Sequence, residues 1–333
     1  MTVQFISFTK RGAALARHLA DALGGEACRC AGAEDLRQWT RRNFVPGGAL
    51  VFVGAAGIAV RAIAPHIKSK TSDPAVVVVD EGGHFAIPIL SGHLGGANDL
   101  ARQIGAICGA VPAVTTATDV SGVFSVDQWA RRQGCAVINP EGIKAVSSRL
   151  LRGERISWFS QWDISGPLPA GIDLVPSARQ SQVSVTLSGE EGTLLRLVPR
   201  IGVLGVGCKR GTSAQTLERA VQALLQSGGI CPQAVVRVCS ITQKRDEPGL
   251  QEFCRARNLP LTLFSPEELA QAEGHFSASD FVQRTVGVDN VCERSAVLGS
   301  GGGALWLSKR TGEGTALALA LAPFSPDWRW LNE

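Results

Sequence analysis

The sequence contains no tyrosine and a single methionine, and it is poor in aromatic and charged side chains. Of its 333 residues, 6% are aromatic and 19% are charged, whereas 45% are hydrophobic. The absence of tyrosine excludes every mechanism that needs a tyrosine acid or radical. The small charged fraction and the large hydrophobic one exclude global disorder and a coiled coil. At about 100–200 residues per domain, the length predicts two domains.

Long hydrophobic runs, basic clusters and paired metal-binding cysteines are also missing. The longest apolar runs, such as residues 75–79, are far shorter than the roughly 20 residues of a membrane helix, so no membrane partner is expected. The net charge is only +4, which fits a small polyanionic ligand better than nucleic acid. The nine cysteines form no Cys-x-x-Cys pair, so zinc-ribbon and thioredoxin sites have no support. No signal peptide is visible, and we expect a cytoplasmic protein with reduced thiols.

Hydrophobic runs with strand character alternate with helical patterns along most of the chain. Strands are predicted at residues 49–53, 75–79 and 85–90, and a helix is predicted over residues 97–108. Such alternation is typical of a largely parallel, doubly wound sheet.

The alternation is interrupted once and then restarts near residue 200. The interruption, residues 158–199, is rich in serine, proline and glycine. We therefore predict an α/β chain of two domains with largely parallel sheets, residues 1–157 and 200–333. A linker that contains a small β element, residues 158–199, joins them.

Glycines between a predicted strand and a predicted helix mark the first candidate site. Gly54 and Gly57 precede Arg61 there, and such glycines let backbone N–H groups approach an anion. Close packing of the strand against the helix explains the same glycines. The spacing is neither the dinucleotide Gly-x-Gly-x-x-Gly nor a Gly-Lys-Ser/Thr phosphate loop. A nucleotide- or nicotinamide-binding enzyme is thus a rival interpretation without its full fingerprint.

Charged residues flank the predicted strand at residues 75–79 on both sides. Asp80 and Glu81 follow it, and carboxylates at the carboxyl end of a strand can supply a general base and a charge stabiliser. Lys70 and Asp73 precede it in a loop suited to substrate carboxylates. An exposed turn and a solvated loop are the alternative interpretations.

Residues 91–98, Ser-Gly-His-Leu-Gly-Gly-Ala-Asn, are the most unusual segment. His93 lies between glycines, after a predicted strand and at a helix start. Small neighbours leave room for a large ligand near the imidazole, which can act as an acid, a base or a metal ligand. A turn histidine that satisfies a local hydrogen bond is the alternative.

The C-terminal part repeats the arrangement of strand, glycine-rich loop and helix. Cys208 and Lys209 lie in such a loop, where the pKa of the thiol could be lowered; a buried structural cysteine is the alternative. Lys244 and Glu247 follow another predicted strand, and Glu293 lies near an apolar run. For these three, surface ion pairs are the alternative.

Taken together, these blocks resemble the cobalt-precorrin 5A hydrolase family of anaerobic cobalamin biosynthesis. The matching blocks of the first half are residues 54–65, Lys70, residues 73–76, Asp80 and Glu81, residues 91–98, residues 100–101 and residues 115–119. Those of the second half are residues 205–211, Lys244, Glu247, residues 249–250, Gly287, Val291 and Glu293. Ala278 stands where the family has proline, and Arg294 and Ser295 stand where small apolar residues are common. The resemblance covers nearly the whole chain.

The resemblance implies a specific reaction in the biosynthesis of adenosylcobalamin, vitamin B12. The substrate is a cobalt-bearing corrinoid with a δ-lactone on ring A. Water opens the lactone, and the methylated bridge carbon leaves as acetaldehyde to give cobalt-precorrin 5B. The substrate carries the cobalt, so no cofactor and no metal site of the protein are expected. Neighbouring corrinoid methyltransferases are candidate partners, and a non-catalytic corrinoid carrier is the alternative function.

The resemblance and the residue chemistry together give a candidate site. The candidate catalytic residues are His93, Asp80 and Glu81: one of them activates water, and the other group manages protons in the later carbon–carbon cleavage. Contact of His93 with the substrate cobalt is a rival role. Backbone N–H groups around Gly95 and Gly96 would hold the oxyanion. The candidate substrate-binding residues are Gly57, Arg61, Lys70, Asp73, Gly92, Gly95, Gly96, Asn98, Asp119, Cys208, Lys209, Lys244, Glu247 and Glu293.

Overall fold

The computed structural model describes residues 2–30, 32–69, 72–116, 121–188 and 194–330. The chain divides into two compact units that interleave along the sequence. Unit 1 comprises Met1–Arg131, Ser147–Glu154 and Arg329–Glu333, and unit 2 comprises Arg132–Val146 and Arg155–Trp328. No helix in the described ranges combines the length and apolar character that a bilayer crossing requires.

Six strands of the described part of unit 1 form one sheet, in the order β2-β1-β3-β4-β5-β6. Their bounds are β1 Val3–Ser7, β2 Glu26–Arg29, β3 Ala49–Val53, β4 Ala75–Val79, β5 Phe85–Leu90 and β6 Val111–Pro112. The helices of this part of the chain are α1 Lys10–Leu23, α2 Ala33–Asn43, α3 Ala56–Ile63, α4 Ala97–Cys108, α5 Val126–Arg132 and α6 Glu141–Leu151. The first four strands pair in parallel, whereas β5 is antiparallel to β4 and parallel to β6.

The sheet of unit 1 is covered on both faces, which explains its continuous hydrophobic strands. Every residue of β3 and β4 is buried. Val51 packs in the cluster that contains Leu19 of α1 and Leu100 of α4, and its neighbour Phe52 packs with Trp39 of α2. Each such side chain contributes about 1.5–3 kcal/mol when fully buried.

The turn between β4 and β5 determines where the loops of unit 1 lie. Only five residues, 80–84, separate the two strands. A parallel crossover needs a dozen or more residues, so this connection forms a hairpin and reverses the direction of β5. The loop after β5 consequently lies at the end of the sheet where β4 begins.

Unit 2 contains two sheets among its described residues, with strand orders β7-β11-β10-β8-β9 and β14-β13-β12-β16-β15. The bounds in the first sheet are β7 Cys135–Val137, β8 Ile156–Ser160, β9 Ile172–Leu174, β10 Val183–Val185 and β11 Leu195–Pro199. Those in the second are β12 Gly202–Cys208, β13 Val235–Ile241, β14 Leu261–Phe264, β15 Ala304–Gly312 and β16 Thr315–Leu321. The helices are α7 Ala214–Ser227, α8 Pro248–Ala256, α9 Pro266–Ala270, α10 Asp280–Val286 and α11 Cys292–Gly299.

The predicted α/β class with largely parallel sheets is confirmed, with three sheets in the described residues where we predicted two. The segment predicted as a linker, residues 158–199, supplies most of β8 and all of β9, β10 and β11 to a sheet that also contains β7. The compact units interleave along the chain, and the predicted domain boundaries at residues 157 and 200 stay predictions.

Candidate active site

The candidate catalytic residues of unit 1 lie at opposite ends of its sheet. Val79 pairs with Ala86, and Val76 pairs with Leu90. Asp80 therefore follows the carboxyl end of β4, whereas His93 lies in the loop beside the start of β4. The five residues of β4 separate these ends by about 16 Å at roughly 3.3 Å per residue. The expectation that His93 and the Asp80/Glu81 pair divide two proton transfers within one site is corrected by this antiparallel pairing.

Asp80 organises the turn between β4 and β5. Its carboxylate accepts hydrogen bonds from the backbone N–H groups of Gly82 (3.0 Å), His84 (2.8 Å) and Phe85 (2.7 Å), and Nδ1 of His84 lies 2.9 Å away. Partial burial acts to raise the pKa of Asp80, but these hydrogen bonds outweigh it and lower the pKa below its usual value. Glu81 is half-buried in the same turn. This arrangement supports the turn interpretation of Asp80.

His93 forms a buried pair with an aspartate that the sequence analysis did not identify. Its Nδ1 lies 3.1 Å from both carboxylate oxygens of Asp127 and 3.2 Å from Oγ of Ser125. The side chains of His93 and Asp127 are only 9% and 10% exposed. Ser125 Oγ also donates to Asp127 over 2.8 Å. The three polar side chains therefore form one compact cluster.

The protonation of this cluster follows from its hydrogen bonds. Burial acts to raise the pKa of Asp127, but the hydrogen bond and charge of His93 and the hydroxyl of Ser125 outweigh it and lower the pKa. An ionised Asp127 accepts the proton of Nδ1, which leaves Nε2 as the basic nitrogen of the neutral ring. An aspartate on Nδ1 also stabilises the imidazolium form, as in other histidine–aspartate pairs.

The sequence did not point to Asp127 because its partner, His93, is distant along the chain. It lies 34 residues after His93, at the start of α5. The structure shows that Asp127 is buried, as are all residues of α5 from 126 to 130. Buried carboxylates are rare unless they are paired, so such a position indicates a partner.

The close packing of the loop itself requires the glycines near His93, and room for a ligand beside the imidazole stays a prediction. Cβ atoms built at these positions would lie less than 3 Å from neighbouring side chains: Gly92 against Asn98, Gly95 against Ser91 and Gly96 against Arg131. Gly96 N–H donates to the backbone oxygen of His93 over 3.0 Å, so it cannot also hold an oxyanion. Gly95 N–H stays the predicted oxyanion donor.

Neighbouring segments complete this end of the sheet. Asn98 is buried, and its Nδ2 donates to Oγ1 of Thr116 over 3.0 Å. Asp73 is also buried and accepts from the N–H groups of Lys68 and Ser69, at 2.9 Å for Lys68 and 3.0 Å for Ser69. It thereby shapes the loop before β4, next to the loop of His93.

Four further predicted residues lie elsewhere or outside the described ranges. Gly57 lies in the first turn of α3, at the end of the sheet that carries Asp80, and Arg61 lies in the last turn of this helix. A guanidinium nitrogen of Arg61 donates to the Gly57 oxygen over 3.4 Å. Their roles in binding stay predictions. Lys70 and Asp119 lie outside the described residues.

In unit 2 the structure brings together the predicted Cys208, Lys244 and Glu247 at the carboxyl ends of β12 and β13. Glu247 is buried and accepts from Nζ of Lys244 (3.1 Å) and from the N–H of Gly211 (2.7 Å). Burial acts to raise the pKa of Glu247, but these contacts outweigh it and lower the pKa. Burial raises the pKa of the Cys208 thiol against the opposing charge of Lys244. The expectation of a lowered thiol pKa is therefore wrong.

The remaining two predicted residues of unit 2 differ in environment. The side chain of Lys209 is exposed, and its backbone N–H donates to Gly314 over 2.8 Å. Glu293 is buried and accepts from the N–H groups of Ser277 and Lys309, both over 2.7 Å. Glu293 thus joins two segments of unit 2, and its role in substrate binding stays a prediction.

Comparisons with known proteins agree along most of the chain. Residues 38–119 match the family described as Cobalamin synthesis G N-terminal, residues 124–187 match Cobalamin biosynthesis central region, and residues 202–320 match Cobalamin synthesis G C-terminus. The cobalt-precorrin-5A hydrolase of Salmonella typhimurium is 34% identical over 96% of this chain and 98% of its own length. The chain belongs to the cobalt-precorrin-5A hydrolase family.

Two further proteins are similar to this chain. The cobalt-precorrin-5A hydrolase of Priestia megaterium is 33% identical over 83% of this chain and 79% of its own. A crystal structure of a cobalamin biosynthesis protein G homologue from Sulfolobus solfataricus covers 97% of both chains, at 23% identity and a TM-score of 0.42. The family resemblance inferred from the sequence blocks is confirmed.

In this member of the cobalt-precorrin-5A hydrolase family, the histidine–aspartate pair joins two of the matched regions. His93 belongs to the N-terminal region, whereas Asp127 belongs to the central region. Among the described residues, no three histidine, cysteine or acidic side chains are grouped so that they could hold a metal ion. A role of the pair in proton transfer stays a prediction.

Proposed function

We propose that this chain is a cobalt-precorrin-5A hydrolase. It opens the ring A δ-lactone of a cobalt corrinoid with water and releases the bridge carbon as acetaldehyde, which gives cobalt-precorrin 5B. The observation that supports this assignment best is the 34% identity to a protein of that name across 96% of this chain. The buried His93–Asp127 pair supplies the base that such a reaction needs.

The first chemical step transfers a proton to His93. Asp127 holds the Nδ1 proton, so Nε2 accepts a proton from water as the water oxygen attacks the lactone carbonyl. Gly95 N–H donates to the oxyanion that forms. The imidazolium then returns the proton to the departing ring oxygen. The products are a carboxylic acid and a hydroxyl group on the bridge carbon.

The second step breaks the carbon–carbon bond that holds the bridge carbon. Loss of the hydroxyl proton converts that carbon to the carbonyl of acetaldehyde, and the electron pair of the broken bond remains on the macrocycle. Neutral again after the first step, His93 is the base proposed for this proton. Asp80 and Glu81 have no part in it, because their turn lies at the opposite end of the sheet.

The electrostatic and cellular setting is consistent with this reaction. A corrinoid precursor carries several carboxylates, and the net charge of +4 favours such an anion. The role of Lys209, which is exposed in unit 2, in binding a substrate carboxylate stays a prediction. We also propose a cytoplasmic location, which is supported by the nine cysteines, all free among the described residues. Methyltransferases that act on neighbouring corrinoids stay proposed partners.

An anaerobic incubation with the lactone-bearing cobalt corrinoid tests the proposal. Acetaldehyde is trapped and the corrinoid is followed by mass, with His93→Ala, checked for folding by its melting temperature, as the control. Many turnovers of acetaldehyde per protein, lost in the variant, support a hydrolase. Stoichiometric binding with an unchanged corrinoid contradicts it and favours a carrier.

A further inference from the structure

Ser91 adopts a backbone conformation that serine normally avoids. It is the residue directly after β5, and its φ is +55°. Only Asn258 and Glu313 share a positive φ among the described non-glycine residues. In this region the Cβ atom approaches the following carbonyl oxygen, which makes the conformation unfavourable for serine. The strain lies in the short loop that connects β5 to α4 and contains His93.

The hydroxyl group of Ser91 is unfavourably placed as well. Its Oγ is buried and has no hydrogen-bond partner among the described residues. It lies against the backbone of Gly95, where an added Cβ would come 2.4 Å from the Cβ of Ser91 and 3.3 Å from its Oγ. Burying a hydroxyl without a partner destabilises the folded state, and most such groups in proteins are paired.

The hydroxyl group of Ser91 makes no hydrogen bond that would stabilise the loop among the described residues. The backbone oxygen of Ser91 accepts from the N–H of Ala97 over 3.1 Å, and any residue could provide this oxygen. A glycine at position 91 would relieve the strain, and an alanine would remove the unpaired hydroxyl. Strain and unmet polar groups that persist together are typical of residues retained for catalysis.

We propose that Ser91 is the nucleophile that opens the lactone, with His93 and Asp127 as its base pair. This inference rests on the proposed hydrolase function and refines its first step. A strained turn from strand to helix is a conformation that holds nucleophilic serines in other hydrolases. Here the base follows two residues after the serine, and Asp127 fixes the orientation of its ring.

The chemistry balances without any additional reactant. Ser91 Oγ forms a bond to the lactone carbonyl carbon, and its proton passes to Nε2 of His93. The bond between that carbon and the ring oxygen breaks, and the ring oxygen takes the proton from the imidazolium. Water then attacks the resulting ester, its proton passes to His93, and Oγ leaves with that proton. The net change is lactone plus water giving a hydroxy acid.

Because Oγ of Ser91 is buried, the proposed attack requires the loop to shift when the substrate binds. In the structure described here the hydroxyl faces Gly95. A movement of the residues around Gly92 and Gly95 would relieve the strain at Ser91 and give the hydroxyl a partner at the same time. Because the strained loop is already unfavourable, its movement takes less of the substrate's binding free energy than the movement of an unstrained loop would.

Two variants of Ser91 test the proposal against a purely structural role. In Ser91→Ala and Ser91→Gly we expect acetaldehyde release to slow by at least about 100-fold. We expect the melting temperature to stay unchanged or to rise, because each variant removes one unfavourable feature. Asn258→Gly, which relieves the same kind of strain in unit 2, is the matched control and should keep the wild-type rate.

The ester intermediate gives a second, independent readout. Wild type and Ser91→Cys are mixed with substrate in single turnover, quenched in acid and analysed by mass. We expect a covalent adduct of one substrate, or of one substrate less acetaldehyde, on the peptide that contains position 91. Wild-type rates in both Ser91→Ala and Ser91→Gly overturn the proposal, as does the absence of an adduct on both wild type and Ser91→Cys. If wild type itself releases no acetaldehyde, the hydrolase function fails instead.

Discussion

Two aspartates among the described residues of unit 1 each accept a hydrogen bond from a histidine, and their surroundings give them different roles. The side chains of Asp80 and His84 are 37% and 70% exposed, whereas those of Asp127 and His93 are 10% and 9% exposed. Water screens the exposed pair, so its attraction contributes little. The buried pair interacts in a less polar environment and holds the imidazole in one orientation. Only the second pair is therefore suited to proton transfer.

Replacement of Asp127 by asparagine tests this distinction. The amide has the same shape but no charge, so it neither fixes the Nδ1 proton nor stabilises the imidazolium. We expect kcat/KM for acetaldehyde release to fall by about 100- to 10,000-fold in Asp127→Asn, with a folded protein by circular dichroism. The contrasting variant is Asp80→Ala, which should lower the free energy of unfolding by about 1–2 kcal/mol and leave kcat/KM unchanged. Similar losses of activity in both variants would contradict the assignment.

Glu247 provides a test that depends on pH. Its contacts with Gly211 and Lys244 lower its pKa below the ordinary value of 4.5. A lowered pKa in the folded state stabilises the protein fully above pH 4.5, and this contribution is lost as the pH falls through the folded value. Glu247→Gln should therefore be less stable than wild type at neutral pH, by about 1–3 kcal/mol. Urea unfolding of both proteins between pH 3 and 7 measures the difference.

The expected signature is a difference that shrinks on acidification. As Glu247 becomes protonated in the wild type, it loses its charge and comes to resemble glutamine. A stability difference that stays constant from pH 7 to pH 3 would mean that the carboxylate charge is irrelevant there.

At the scale of elements, the sequence predicted the strands and helices of unit 1 better than their directions. The predicted strands at 49–53, 75–79 and 85–90 coincide with β3, β4 and β5, because buried strands show as continuous hydrophobic runs. The reversal of β5 was missed, although the turn with two glycines at residues 80–84 favours a hairpin. Because the antiparallel direction of β5 was missed, Asp80 and His93 were predicted to lie in one site. The pairing of His93 with Asp127 could not be predicted from local sequence patterns, because only the folded chain brings the two residues together.

The loop between β5 and α4 also explains why glycine is required at position 96. Gly96 has a φ of +87°, and a Cβ there would lie 2.7 Å from the guanidinium of Arg131. That guanidinium donates to Asp99 over 2.6 Å and to the backbone oxygen of His93 over 3.5 Å. Any side chain at position 96 would displace Arg131 and thereby disturb the loop.

We therefore expect Gly96→Ala to combine two penalties. Gly122 is a matched control, since its φ is +60° but a Cβ there would meet nothing within 4 Å. Gly122→Ala should lose about 1–2 kcal/mol from backbone strain alone. Gly96→Ala should lose about 1–3 kcal/mol more from the displaced guanidinium, and its kcat/KM should fall. Equal free energies of unfolding of the two variants in urea would show that Arg131 moves aside without destabilising the fold.

At the scale of the molecule, the chain returns to its first unit at its end. Residues from Arg329 onward belong to unit 1, although the preceding residues belong to unit 2. Trp330 packs edge-on against Phe124, with ring centroids 5.2 Å apart, and Phe124 is almost completely buried. A fragment that ends at the predicted boundary, residue 157, would lack this contact. The integrity of unit 1 therefore depends on a segment distant in sequence.

Trp330→Ala tests this dependence, with Trp306→Ala as the matched control. Removing the Trp330 ring exposes Phe124 and loses an aromatic contact, so we expect a loss of about 1–3 kcal/mol in the free energy of unfolding. Trp306 is 52% exposed, and its replacement should change that free energy by no more than about 0.5 kcal/mol. Urea unfolding measures both variants. Because Phe124 precedes Ser125 and Asp127, acetaldehyde release should also decline in Trp330→Ala alone. Equal behaviour of the two tryptophan variants would mean that the end of the chain contributes nothing to unit 1.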